Sequence, residues 1–201
     1  MPQEARRALA RGWLWLGLLA LVGSGLFSVL LVLSRTPYVN QWLPAANFFQ
    51  VSLVLHVDLS VLVWFVAQGG MLWSIHGTQR GVRWGWLALG VAAAGTLAMT
   101  LAPFLDRGEP IMANYIPVLE SPLFLGGLVV FGVGTALLVL RSLLAAPRLG
   151  LEYDGRGALD FGLSSAAIAT AVGLLAFGWS YAVLPTALPG KASYELLILG
   201  G

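Results

Sequence analysis

FFQVSLVLHVDLSVLVWFVAQGGMLW, Phe48 to Trp73, decides the fold. A helix of that length, at about 1.5 Å per residue, exceeds the roughly 30 Å of hydrocarbon in a bilayer. Two ionisable side chains, His56 and Asp58, interrupt an otherwise apolar surface. An ionisable group at membrane depth is costly and marks a functional site by default.

The rest of the chain has the same character. Of its 201 residues, 58% are hydrophobic and 10% charged, where a soluble domain carries about 25% charged residues. Lipid is therefore the solvent, and each segment must satisfy its backbone internally as a helix. The runs are too long and uniform for barrel strands of about 10 residues. Five full spans are expected, at Trp13–Ser34, Phe48–Ile75, Trp84–Phe104, Pro122–Leu143 and Phe161–Leu184, with a sixth run starting at Tyr194–Gly201. Pro- and Gly-containing loops connect them. The fold class expected is an all-α polytopic membrane bundle, a single transmembrane domain over residues 1–201.

The cations set its orientation. With the N-terminus inside, Arg6, Arg7, Arg11, Arg80, Arg83, Arg141, Arg148 and Arg156 are cytoplasmic, while Arg35, Arg107 and Lys191 are outside. That bias places the N-terminus in the cytoplasm of a cell whose inner (plasma) membrane holds the chain. His56 then lies about two turns from the outer end of the second span. Trp13, Trp15 and Trp73 are expected in the inner aromatic belt, and Tyr38 and Trp42 in the outer one. Glycines at Gly85–Gly90, Gly126–Gly127 and Gly132–Gly134 permit close helix contact. The run from Trp13 to Leu33 is long for a signal peptide and ends without a small-x-small site, so it is read as a retained helix.

Several chemistries are excluded or lack support. No cysteine is present, which removes disulfides, iron–sulfur clusters and thiolate haem ligation. There is no basic stripe for nucleic acid, no Gly-rich phosphate loop with a lysine, and no Gly-x-Ser-x-Gly elbow. Glu109, Glu120, Glu152, Asp154 and Asp160 fall in loops or at span ends as interface charges, and His76 beside Arg80 reads as solvated. Glu195 opens the sixth run, where it serves the start of a helix or an access route to a redox site.

His56 carries the sharpest reading. A neutral imidazole in the membrane is a natural haem-iron ligand; the plainer alternatives are an inter-helix hydrogen bond or a cavity lining. In α-helical projection Ser52, Leu53, Leu59, Ser60, Val63 and Ala67 share its face. The small residues among them leave room for a flat macrocycle. Asp58, about 200° around, does not share that face and needs its own partner, in a proton or ion path or in a structural contact.

The second span, FFQVSLVLHVDLSVLVWF, resembles the second helix of subunit I of the haem-copper oxidase superfamily, cytochrome c oxidase subunit I included. NYIPVLESPLF, Asn114 to Phe124, resembles the connection between the third and fourth helices in a divergent branch, and YELLILGG, Tyr194 to Gly201, the start of the sixth. The resemblance covers most of the chain as topology and these three stretches as sequence. It implies that His56 is an axial ligand of a low-spin haem that relays electrons to a haem–copper centre reducing dioxygen, or nitric oxide in a close variant. Copper and a second haem would be held by later helices that the chain does not contain. The chain reads as the N-terminal portion of a longer subunit, inactive alone. Its implied partners are membrane lipid, other respiratory subunits and an electron donor such as cytochrome c or quinol. A non-catalytic scaffold subunit is the rival reading, and a transporter with His56 and Asp58 as proton relays a third.

Overall fold

A computed structural model of the chain describes residues 2–38, 42, 47–106, 108–113, 116–147, 154–184 and 192. The sixth run Tyr194–Gly201, with Glu195, lies outside them, as do Arg107, Arg148, Glu152 and Lys191. Among the described residues, five helices are long and apolar enough to cross a membrane. They are α1 (Pro2–Leu33), α2 (Phe48–His76), α3 (Val82–Leu105), α4 (Pro122–Leu144) and α5 (Gly155–Ala182).

Two ends differ from expectation. Helix α1 starts eleven residues early, because Glu4, Arg6, Arg7 and Arg11 are sound helix formers and continue the coil past the apolar run. Its 32 residues reach about 48 Å, well beyond the hydrocarbon. Helix α5 starts at Gly155, where the Asp154 carboxylate accepts the Gly157 N–H at 2.7 Å; an acidic N-cap satisfies one of the orphan donors of that first turn.

The all-α expectation needs one correction. Between α3 and α4 the chain forms an antiparallel hairpin, β1 (Glu109–Ala113) with β2 (Ile116–Glu120), in register Glu109 opposite Glu120 and Ile111 opposite Val118. Two prolines, Pro110 and Pro117, deny this segment a helix interior, while Ile111, Val118 and Leu119 are buried beneath it. Its ends are tied. Ser121 donates to the Asp106 carboxylate at 2.8 Å and accepts the Phe124 N–H at 3.2 Å, so one hydroxyl links the end of α3 to the cap of α4.

Small residues set the packing. On α3 and α4, Gly95, Gly127 and Gly134 meet main chain of the facing helix so closely that none admits a Cβ without displacement. Gly126, Gly132 and Gly90 face open space and serve no such contact. On α1 and α2 the slots run the other way. Gly70 receives the Trp13 indole, whose ring lies 2.5 Å from where a Cβ would stand, and Gly17 meets Trp64 and Ala67. Trp13 is thus fully buried against α2, not a belt residue as its position in the sequence implied, while Trp15 is 62% exposed. Helix α5 leans on α4 and on α2, where the Trp73 indole donates to the Leu163 carbonyl at 3.0 Å. Most of its length, Phe161, Leu175 and Trp179 included, is exposed.

Candidate functional site

The site is built where α1 crosses α2. Helix α2 is not regular there: Phe48–Val57 is α-helical, Asp58–Val63 forms a π turn, and Trp64–His76 is α-helical again. A π turn carries one extra residue and turns the following side chains around the axis; such turns concentrate at functional sites. His56 sits just ahead of it and Asp58 opens it.

The His56 ring is held by α1. Its Nδ1 lies 3.1 Å from the main-chain carbonyl of Ser24 and 2.9 Å from the Ser24 hydroxyl. A carbonyl can only accept, so this contact is a hydrogen bond when Nδ1 carries the proton; with the proton on Nε2, the Ser24 hydroxyl donates to Nδ1 instead. The Ser24 hydroxyl donates to the His56 carbonyl at 3.0 Å, and the Ser60 hydroxyl donates to the same oxygen at 2.6 Å. That carbonyl, at the edge of the π turn, thus takes two hydroxyl donors. With Nδ1 protonated, Nε2 presents its lone pair, and among the described residues nothing is bonded to it. The ring is half-buried. A histidine whose second nitrogen donates to a carbonyl is oriented, and made more basic, for metal ligation.

The face expected to be open is filled. Ser52, Leu59, Val63 and Ala67 are all buried. Helix α1 covers it, with Gly23 against Leu59 at 3.2 Å and Gly17 against Ala67 at 3.1 Å from an added Cβ. The small residues of α2 and the glycines of α1 fit each other, so the room they create is taken by a helix. Leu53 and Ser60, which flank the ring, are half-buried. A macrocycle on Nε2 would therefore have to lie on the side of the ring away from α1. Among the described residues no three histidine, aspartate or glutamate side chains gather to hold a metal, so His56 alone could offer a nitrogen to one.

Asp58 is 5% exposed, and its Oδ2 is sealed from solvent without a hydrogen-bond partner. The partner expected for it is missing at that oxygen. Ser52 Oγ, one and a half turns earlier, is likewise buried and unpartnered.

Sequence reasoning missed three features: the π turn, the Ser24 latch and Arg141. Arg141, placed with the inner loops by charge alone, is 3% exposed, with Nη1 3.4 Å from the Ser74 hydroxyl. Beside it the Arg6 guanidinium donates to the Ile75 and Gly77 carbonyls at the C-terminal end of α2, where a cation suits the unsatisfied carbonyls. The signal for the latch was present in GSG, Gly23 to Gly25, a polar residue between glycines inside an apolar helix.

No family model matches the chain, and no solved structure matches it. It is similar to two curated proteins, both uncharacterized. Protein RP382 of Rickettsia prowazekii (strain Madrid E) is 27% identical over 225 residues, covering 96% of this chain and 43% of that protein. A protein of Aquifex aeolicus (strain VF5) is 28% identical over 131 residues, covering 65% of this chain and 33% of that one. The chain spans less than half the length of the curated relatives it matches.

Proposed function

We propose that this chain is the low-spin haem-binding part of a respiratory terminal oxidase subunit of the haem-copper kind, with His56 Nε2 as one axial ligand. The observation that supports the reading is the Ser24 latch: in the tautomer with the proton on Nδ1, Ser24 holds that nitrogen and the Nε2 lone pair is left for iron. The haem would supply reversible one-electron transfer. The chain's own part is to hold the imidazole in one orientation. A second axial ligand, the second haem and copper would come from sequence beyond the described residues, with cytochrome c or a quinol as donor and dioxygen, or nitric oxide, as acceptor. The inner-membrane location and cytoplasmic N-terminus belong to the same proposal and rest on the eight arginines of one side.

The packed α1–α2 face favours a second reading, a non-catalytic membrane subunit in which His56 is an inter-helix hydrogen-bond donor and nothing more. The two separate on one substitution. His56→Asn places an amide N–H where Nδ1 was and removes Nε2, keeping the latch but not the ligand. A reduced-minus-oxidised optical spectrum of the purified protein should lose a low-spin haem signal in this variant at unchanged stability. A signal that survives His56→Asn, or is absent from the wild type, overturns the haem assignment.

A further inference from the structure

On the side of the N-terminus, α1 and α2 part to leave a groove of about 460 Å³. Glu4, Arg7 and Arg11 form its rim on α1, and Leu14, Met71 and Ile75 its floor. Spacings of three, four and three residues keep 4, 7, 11 and 14 in one stripe along α1, and Met71 and Ile75 are one turn apart on α2. The groove therefore grades from charged to apolar over about 10 Å, the seven residues from Arg7 to Leu14. Its charged end sits at headgroup level, because α1 outruns the hydrocarbon by several turns and exposed Trp15 marks the interface just below.

We propose that this groove binds an anionic phospholipid of the leaflet on the N-terminal side. The phosphate lies between Arg7 and Arg11, and one acyl chain runs over Leu14, Met71 and Ile75. Both guanidinia are exposed, and among the described residues neither pairs with a carboxylate, so both are available for the forked hydrogen bonds that a phosphate accepts. The wall opposite is fixed in advance: Arg6 turns away from the groove to hold the Ile75 and Gly77 carbonyls. A soluble anion would leave the apolar floor uncovered. A zwitterionic lipid brings its own cation against two arginines.

The test is native mass spectrometry of the full chain from detergent micelles, titrated with phosphatidylglycerol, phosphatidylcholine or glycerol phosphate. Phosphatidylglycerol should bind at least tenfold more tightly than phosphatidylcholine, and glycerol phosphate should not bind. Replacing both arginines (R7Q/R11Q) should weaken phosphatidylglycerol about thirtyfold, from the loss of two cations near the surface, and leave phosphatidylcholine unchanged. M71W fills the floor and should weaken both lipids, while R7K/R11K should keep most of the preference. The lysine and tryptophan variants decide the matter if the double glutamine variant does not fold. Equal binding of the two lipids, an unmoved phosphatidylglycerol affinity in R7Q/R11Q and M71W, or tight binding of glycerol phosphate would overturn the proposal.

Discussion

Replacing Gly95 by alanine should open the α3–α4 seam. A Cβ at Gly95 would stand 2.4 Å from the Phe131 nitrogen and 2.6 Å from the Gly127 oxygen, against ordinary contact from 3.4 Å outward. The shortfall is about 1 Å, and both obstacles are main chain, so no rotamer relieves it. The helices must separate along a seam that also contains Ala92, Met99 and Gly134. A gap of 0.5–1 Å forfeits roughly a quarter to a half of each dispersion contact, and overpacking of this kind costs about 1–3 kcal/mol. With the backbone as obstacle, the upper value, about 3 kcal/mol, applies. Alanine returns about 1 kcal/mol of helix propensity over glycine, leaving a net loss of about 2. Gly132→Ala on α4 has open space around its Cβ and isolates that gain, so it should be stabilising by about 1 kcal/mol. Reversible unfolding in mixed micelles, followed by tryptophan fluorescence and far-ultraviolet circular dichroism, measures the difference of about 3 kcal/mol. Equal stability of the two variants would refute the seam as the element that sets helix separation.

Three further outcomes are expected. Ser24→Ala removes the hydroxyl bond to the His56 carbonyl but leaves the main-chain acceptor of Nδ1, so unfolding should weaken by about 0.6 kcal/mol with any His56-dependent spectrum retained. Asp58→Asn keeps the shape of a side chain whose Oδ2 has no partner; no hydrogen bond is lost at that oxygen, so stability should hold, and a loss above about 1 kcal/mol in the same assay would show that the carboxyl group is engaged. Ser121→Ala removes both the α4 cap and the tie to Asp106, and should lower unfolding free energy by about 1–2 kcal/mol, with Ser121→Thr restoring most of it.

The spans were legible because lipid imposes one rule, helix or barrel, and a continuous apolar run declares the helix directly. The ends were less so. Residues 2–12 are charged, and hydropathy cannot distinguish a charged helix extension from a loop. The hairpin at Glu109–Glu120 was hidden for the opposite reason: its prolines announce only that the segment is not a helix. Its buried Ile111 and Val118 become meaningful once α2 and α4 give them a surface to cover. Trp13 failed as a belt residue because depth in the chain does not say whether a neighbouring helix offers a slot, here at Gly70.

At the site, position was legible and surroundings were not. An ionisable ring in the membrane could be picked out as His56 from one line of sequence, but the face it shares was projected on an α-helix, and the π turn at Asp58–Val63 breaks that projection directly after the ring. The small residues on α2 admitted two occupants, a macrocycle or a helix, and glycines at 17 and 23 of α1 match them with the helix. That packing does not dispose of His56 as a ligand. It engages Nδ1 with the bundle, while among the described residues no hydrogen bond is made to Nε2. A histidine needed only to join two helices could do so through either nitrogen and be replaced by any donor of similar reach. The chemistry specific to histidine is what remains at Nε2, and His56→Asn removes that nitrogen while an amide N–H keeps the place of Nδ1.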